Sequence, residues 1–267
     1  MLSVGGQAQD TLKVTHVQAI LYTGSSSRQP LIVGLGGSEG GNAWASNHWK
    51  QTREQFLKKG YAFLAIGYFG LKGTPAVLDQ IALEDVYHAI KTAALQPAIN
   101  PDKIAIVGGS RGADLALLLG SYYKDIRCVV GIVPSHVVFP GHTQDFNTSC
   151  WTYQGKLLPF VPVNEEAVPF LMKRDLRKTF ETMLKDTLAE QKASIRVENI
   201  NGPILLLSAT EDEISPSTDM CKKMTDRLKK HHFKFYTHHM AVEGNHTAPL
   251  GQFEVIFDFL EKHFRTL

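Results

Sequence analysis

Between Lys103 and Tyr123 two apolar runs flank a cluster of glycines, and this stretch constrains the chain more than any other. Ile104 to Val107 is short and continuously apolar, as a strand buried on both faces must be. Leu115 to Leu119 is apolar again, and Ala113 and Ala116 leave room for close packing against a neighbour. Between them stand Gly108, Gly109, Ser110, Arg111 and Gly112, a G-x-S-x-G pattern. Strand, tight turn and helix in that order make the pattern a nucleophile elbow. The turn holds Ser110 in a strained backbone conformation, and only glycine fits beside it without a Cβ clash. The serine oxygen then stands at a helix N-terminus, where positive partial charge favours a developing anion.

The rest of the chain supplies a frame for such an elbow. Leu12 to Tyr22 is expected to be an opening strand, and Pro30 to Leu35 a second one leading into the glycine-rich loop Gly36 to Gly41. That loop is no dinucleotide site: after Gly34-x-Gly36, the position that needs the next glycine is Glu39. The pattern goes on with a helix over Gln51–Lys59, a buried strand over Tyr61–Ile66 and a helix over Pro75–Ala94. A further strand is expected at Ile126–Val133. From Pro134 to about Asn201 prolines, aromatics and polar residues mix, with a charged helix over Asn164–Gln191; so long an excursion between core strands reads as a lid that shapes a pocket. A strand at Pro203–Ser208, a helix at Thr218–Lys230, a strand at Phe233–Met240 and a helix at Gln252–Phe264 close the chain. Strands alternating with helices predict an α/β fold, with a mostly parallel central sheet and helices on both faces. At 267 residues it is expected to be one domain, residues 1–267, with the lid at about 134–201.

Composition excludes several classes. With 28 basic and 26 acidic residues the formal net charge is +2, which argues against nucleic acid or an anionic membrane as the main partner. Cys128, Cys150 and Cys221 are too few and too scattered for a disulfide framework or a structural zinc site, so a reducing, cytoplasmic compartment is expected. Met1 to Asp10 has neither a basic nor an apolar signal-peptide region. No apolar run reaches membrane-spanning length, and the chain does not end in the peroxisomal Ser-Lys-Leu. No metal or other cofactor is expected, and the expected partner is a small-molecule substrate.

A serine nucleophile needs a base and an acid that orients the base. In α/β-hydrolases they follow the serine in the order acid, then histidine. Past the late strand, Glu211, Asp212 and Glu213 compete for the acid position. Asp212 lies three residues after the small Ala209 and four before Pro216, the usual strand-end pattern, whereas Glu211 and Glu213 read as solvated neighbours. Of the eleven histidines, His246 sits in a turn after the last strand and before the last helix, where this fold delivers its base. His231, His232, His238 and His239 look like a metal cluster but read as exposed, since His238 and His239 point to opposite faces of a strand. His136, at the lid root, is a possible pocket residue. The oxyanion hole is expected to use the backbone N–H of Arg111 and a second N–H from the glycine loop, with Ser38 the candidate and the register open by one residue.

These pieces together resemble the C-terminal catalytic domain shared by acyl-CoA thioesterases and bile acid-CoA:amino acid N-acyltransferases. The resemblance is carried by Gly36 to Gly41, by the elbow from Val107 to Leu117, by Thr210-Glu211-Asp212, by Trp151 to Pro159 in the lid, and by Gly244-Asn245-His246. It implies the same triad of Ser110, Asp212 and His246. Members commonly carry an N-terminal β-sandwich domain; here the first core strand begins at Pro30, and that domain is expected to be missing. The acyltransferase branch uses a cysteine nucleophile, so Ser110 resembles the thioesterase branch. The expected activity is hydrolysis of a thioester, acyl-CoA to free acid and CoA. The alternatives are a carboxylesterase for small oxygen esters, an acyl-CoA:amino acid N-acyltransferase, and a non-catalytic binding protein on the same scaffold. Lys222, Lys223, Arg227, Lys229 and Lys230 are candidates for the CoA phosphates, set against a solvated helix face.

Overall fold

The computed structural model describes residues 8–267. Residues 1–7, most of the stretch in which no signal peptide is expected, lie outside the described residues. The strands are β1 (Ala8–Leu12), β2 (Gln18–Thr23), β3 (Gln29–Leu35), β4 (Ala62–Gly67), β5 (Ile81–Ala82), β6 (Ile99–Gly109), β7 (Ile126–Ile132), β8 (Trp151–Tyr153), β9 (Lys156–Leu157), β10 (Ile204–Ala209) and β11 (Thr237–Val242). The helices are α1 (Lys50–Lys58), α2 (Leu83–Ala94), α3 (Arg111–Tyr122), α4 (Val168–Met172), α5 (Leu176–Met183), α6 (Thr187–Ala193), α7 (Ser217–Lys230) and α8 (Phe253–Phe259).

Eight strands form one sheet in the order β1-β2-β4-β3-β6-β7-β10-β11. β2 runs antiparallel to β1 and to β4, and every other pairing in this sheet is parallel. Alternation along the strands divides the core into two layers. Leu31, Val33, Ile104 and Ile106 pack on one face with Val86 of α2, Leu115 of α3 and Met224 of α7. Ile32, Phe63, Ala105 and Val107 pack on the other with Phe56 of α1 and Phe257 of α8. With both faces covered, the buried stretches of the inner strands, such as Ile104–Val107 and Ile204–Leu207, are apolar throughout, and that continuous apolarity is the pattern seen in the sequence.

The elements differ from the sequence expectation at four places. The opening segment is a hairpin of two strands rather than one, since β1 pairs back on β2. The helix expected from Pro75 begins only at Leu83, because Ile81 and Ala82 pair with Trp151 and Thr152 in a second sheet, β5-β8-β9, and Gln80 before them has φ +51°. The charged helix expected over Asn164–Gln191 is three short ones. Asp175 accepts the Lys178 N–H and Asp186 accepts the Ala189 N–H, so each starts a new helix as an N-cap, and Arg174 at φ +58° breaks the chain ahead of the first. The last strand begins at Thr237 rather than Phe233, and α8 runs on into a π-type turn at Leu260–Phe264.

Candidate active site

Ser110 lies between the end of β6 and the start of α3 with φ +52° and ψ −122°. Its N–H donates to the Ile132 carbonyl at 2.8 Å, which ties the turn to neighbouring β7. Two glycines make the geometry possible. A Cβ on Gly108 would lie 2.1 Å from the Gly112 carbonyl oxygen, and one on Gly112 would lie 2.2 Å from that of Gly36. Gly109 has open space around it, so close packing demands glycine at the outer positions of the motif and not at the second.

His246 reaches over the sheet from the turn after β11. Its Nε2 lies 3.2 Å from Ser110 Oγ and its Nδ1 lies 2.8 Å from Asp212 Oδ1. Asp212 follows β10 and is fully buried. Its Oδ1 also accepts the N–H groups of Ile214 at 2.9 Å and Ser215 at 3.0 Å, whereas Oδ2 has no hydrogen-bond partner among the described residues. Burial works against the carboxylate charge. The hydrogen bonds, led by that of His246, outweigh it and hold the Asp212 carboxyl below the ordinary aspartate value. The three strand-end residues singled out in the sequence are thus brought into one chain of contacts.

The neighbouring glutamates divide. Glu211 is exposed. Glu213 is not merely solvated: its Oε2 accepts the backbone N–H of His246 at 2.9 Å and so holds the turn that carries the histidine. Ser38 and Arg111 both line the cavity at Ser110, as do Gly36 and Gly37. The Tyr68 hydroxyl donates to the Gly36 carbonyl at 2.6 Å and fixes that loop from below. Gly37 packs so close to Ser110 that a Cβ there would meet the serine Cβ at 3.1 Å.

The cavity has a volume of about 790 Å³ and a largely apolar wall. Trp44 and Trp49 come from the segment after the glycine loop; Phe139, Leu171, Leu176, Phe180 and Met183 come from the excursion between β7 and β10.

A family profile described as "BAAT / Acyl-CoA thioester hydrolase C terminal" matches residues 81–247, which contain Ser110, Asp212 and His246. The chain belongs to this family. Acyl-coenzyme A thioesterase 1 of Rattus norvegicus is 27% identical over 154 residues, covering 58% of this chain and 34% of the rat protein. The chain therefore spans only part of the length of such relatives. Among solved structures, an esterase of Pyrococcus furiosus matches with a TM-score of 0.66 at 15% identity, over 97% of this chain and 94% of its own. The acylaminoacyl peptidase of Pyrococcus horikoshii gives a TM-score of 0.66 at 12% identity, over 100% of this chain and 43% of its own. The fold is that of the α/β-hydrolases.

Other candidates of this family member lie elsewhere. His136 does not line the cavity at Ser110. It is buried in a separate small cleft, where its Nε2 sits 2.6 Å from Glu190 Oε1. Lys223 and Arg227 line that same cleft, with Lys223 paired to Glu190 and Arg227 to Glu198. None of Lys222, Lys223, Arg227, Lys229 and Lys230 lines the cavity at Ser110. His231, His232 and His238 are exposed, but His239 is half-buried, its Nε2 2.8 Å from Ser208 Oγ. Among the described residues no three His, Cys, Asp or Glu side chains group as a metal site requires, and no helix is long and apolar enough to cross a membrane.

Sequence reasoning missed the side chain of Arg111. It is buried against Phe139 and Phe180, with its Nη1 3.2 Å from Asp114 Oδ2. Burial pushes the Asp114 carboxyl up to about 6, against the pull of Arg111 and of the Ser135 N–H. The i, i+3 spacing of Arg111 and Asp114 signals their pairing, but nothing local signals the rings of Phe139 and Phe180 around them.

Proposed function

We propose that this chain is a serine hydrolase that cleaves acyl thioesters, acyl-CoA to free acid and CoA. The observation that carries the reading is the unbroken contact Ser110–His246–Asp212 at the floor of a large apolar cavity. His246 takes the proton from Ser110 Oγ through Nε2 as the oxygen attacks the acyl carbonyl. Asp212, on Nδ1, holds the ring in that tautomer and stabilises the imidazolium. The backbone N–H groups of Arg111 and Ser38 receive the oxyanion. The proton returns to the leaving thiolate, and water activated by His246 then releases the acid from the acyl-serine. The apolar wall suits a substantial acyl group, and the thioesterase names of the relatives support CoA as the leaving group. The three cysteines are free and buried, which supports the reducing cytoplasm as the compartment.

A second reading is hydrolysis of small oxygen esters. It is favoured by one observation: the cations of α7 stand away from the cavity and offer no seat there for CoA phosphates. The test compares CoA and p-nitrophenyl derivatives of one acyl group side by side, with and without glycine or taurine. The expected result is a higher kcat/KM for the thioester and free acid as the product even with the amine present. A preference for the oxygen ester supports the second reading, and mostly amide overturns hydrolysis in favour of N-acyl transfer.

A further inference from the structure

Arg111 is the one lysine or arginine among the described residues lining the cavity, and it is 8% exposed. Its guanidinium carbon lies 5.1 Å from the Phe139 ring centre and 5.5 Å from that of Phe180. An arginine carries five N–H donors and stays charged. One donor is spent on Asp114 Oδ2 at 3.2 Å, and the other oxygen of that carboxylate already accepts the Ser135 N–H at 2.7 Å. No other hydrogen bond joins the guanidinium to a described residue, so the rest of the fork opens on a cavity walled by rings. A cation with open donors in apolar surroundings is costly without a partner. Partial burial first, and the Arg111 charge second, push the His142 imidazolium at the same cavity down to about 4.

We propose that the acyl group accepted by this site ends in a carboxylate, which pairs with the open edge of the Arg111 guanidinium. The substrate class is the half-thioester of a dicarboxylic acid. This rests on the reading of Ser110 as the acyl nucleophile. A carboxylate matches the planar fork with two parallel N–H···O bonds, which a hydroxyl or ketone does not. A methyl-ended chain of the same length leaves the donors unpaired, and sites with buried polar groups reject such analogues strongly. Arg111 thus has two separate parts, its backbone N–H at the oxyanion and its side chain at the far end of the acyl group.

The test uses CoA thioesters in matched pairs of increasing length, from butanedioyl against butanoyl to octanedioyl against octanoyl. The wild-type protein is expected to favour the acid-ended member at one or more lengths by at least about tenfold in kcat/KM. Arg111→Met should abolish or reverse that preference. Because it leaves Asp114 buried without its partner, Arg111→Met/Asp114→Asn is measured beside it, with fluorophosphonate labelling of Ser110 reporting an intact site. Hydrolysis with the methyl-ended member favoured at every length overturns the assignment, as does a preference that survives both variants. No labelling of the wild type, and no hydrolysis of any pair, counts instead against the hydrolase reading beneath it.

Discussion

Ser110 occupies a backbone region with φ +52° that a side-chain-bearing residue adopts only under strain, and alanine bears that strain as serine does. Ser110→Ala should therefore keep the fold and lose turnover by at least about a thousandfold, since only oxyanion and binding contributions remain. Circular dichroism and acyl-CoA assays on the same preparation decide it; a folded variant with most of its activity sinks the assignment. Around His246 the two carboxylates make different contacts. Asp212 touches the ring nitrogen, and Glu213 touches the backbone N–H of the same residue. Asp212→Asn should lower kcat by at least about a hundredfold by favouring the wrong tautomer. Glu213→Gln keeps an acceptor for the backbone and should cost less than about fivefold. Equal losses in steady-state kinetics would remove the distinction between them.

At the scale of elements, the elbow joins β6, α3 and the glycine loop after β3 by backbone-to-backbone approach. A Cβ at position 112 has nowhere to go, with the Gly36 oxygen at 2.2 Å and the Leu35 oxygen at 2.5 Å, while position 109 is open. Gly112→Ala should therefore destabilise the protein by at least about 2 kcal/mol, the cost of forcing extra volume into close packing, and Gly109→Ala by well under that. Urea midpoints rank the two; a harmless Gly112→Ala refutes the close approach. The elbow was legible in the sequence because strand, turn and helix each left a local pattern there. Asp212 and His246 were legible because each follows a strand at a spacing that this fold reuses. The segment from Pro75 to Gln80 was misread as helix because Leu78 and Ile81 extend the apolar stripe of α2, although Ile81 is held by Trp151, a partner far away in sequence. The helix expected over Asn164–Gln191 failed for the opposite reason: capping by Asp175 and Asp186 is local and was visible, but a charge-rich composition masked it. The guanidinium of Arg111 was not legible as a cavity group, since its surroundings come from an excursion whose path no periodicity encodes.

For the molecule as a whole, the buried Asp114 makes stability depend on pH. Its carboxyl is raised from 3.8 to about 6 by burial, so the folded state binds a proton that the unfolded state has released. Its contribution is most favourable below pH 3.8, falls as pH rises towards about 6, and is level beyond. The free-energy difference between wild type and Asp114→Asn should move in favour of the variant across that window by roughly 3 kcal/mol, at about 1.4 kcal/mol per pH unit. Urea denaturation of both proteins at several pH values measures it, and a difference that does not change with pH rules out the raised carboxyl. The sheet, the two core layers and the excursion serve one arrangement, in which Ser110 stands at a large apolar cavity with His246 and Asp212 in contact behind it. The central claim is that Ser110 carries the acyl group between thioester and water. The measurement that meets it most directly is rapid-quench mass spectrometry of the protein mixed with an acyl-CoA, with peptide mapping of the adduct. The expected result is a transient acyl mass on the peptide containing Ser110, appearing with CoA release and decaying with free acid. CoA release with no adduct on Ser110, at the same rate in Ser110→Ala, would contradict the account.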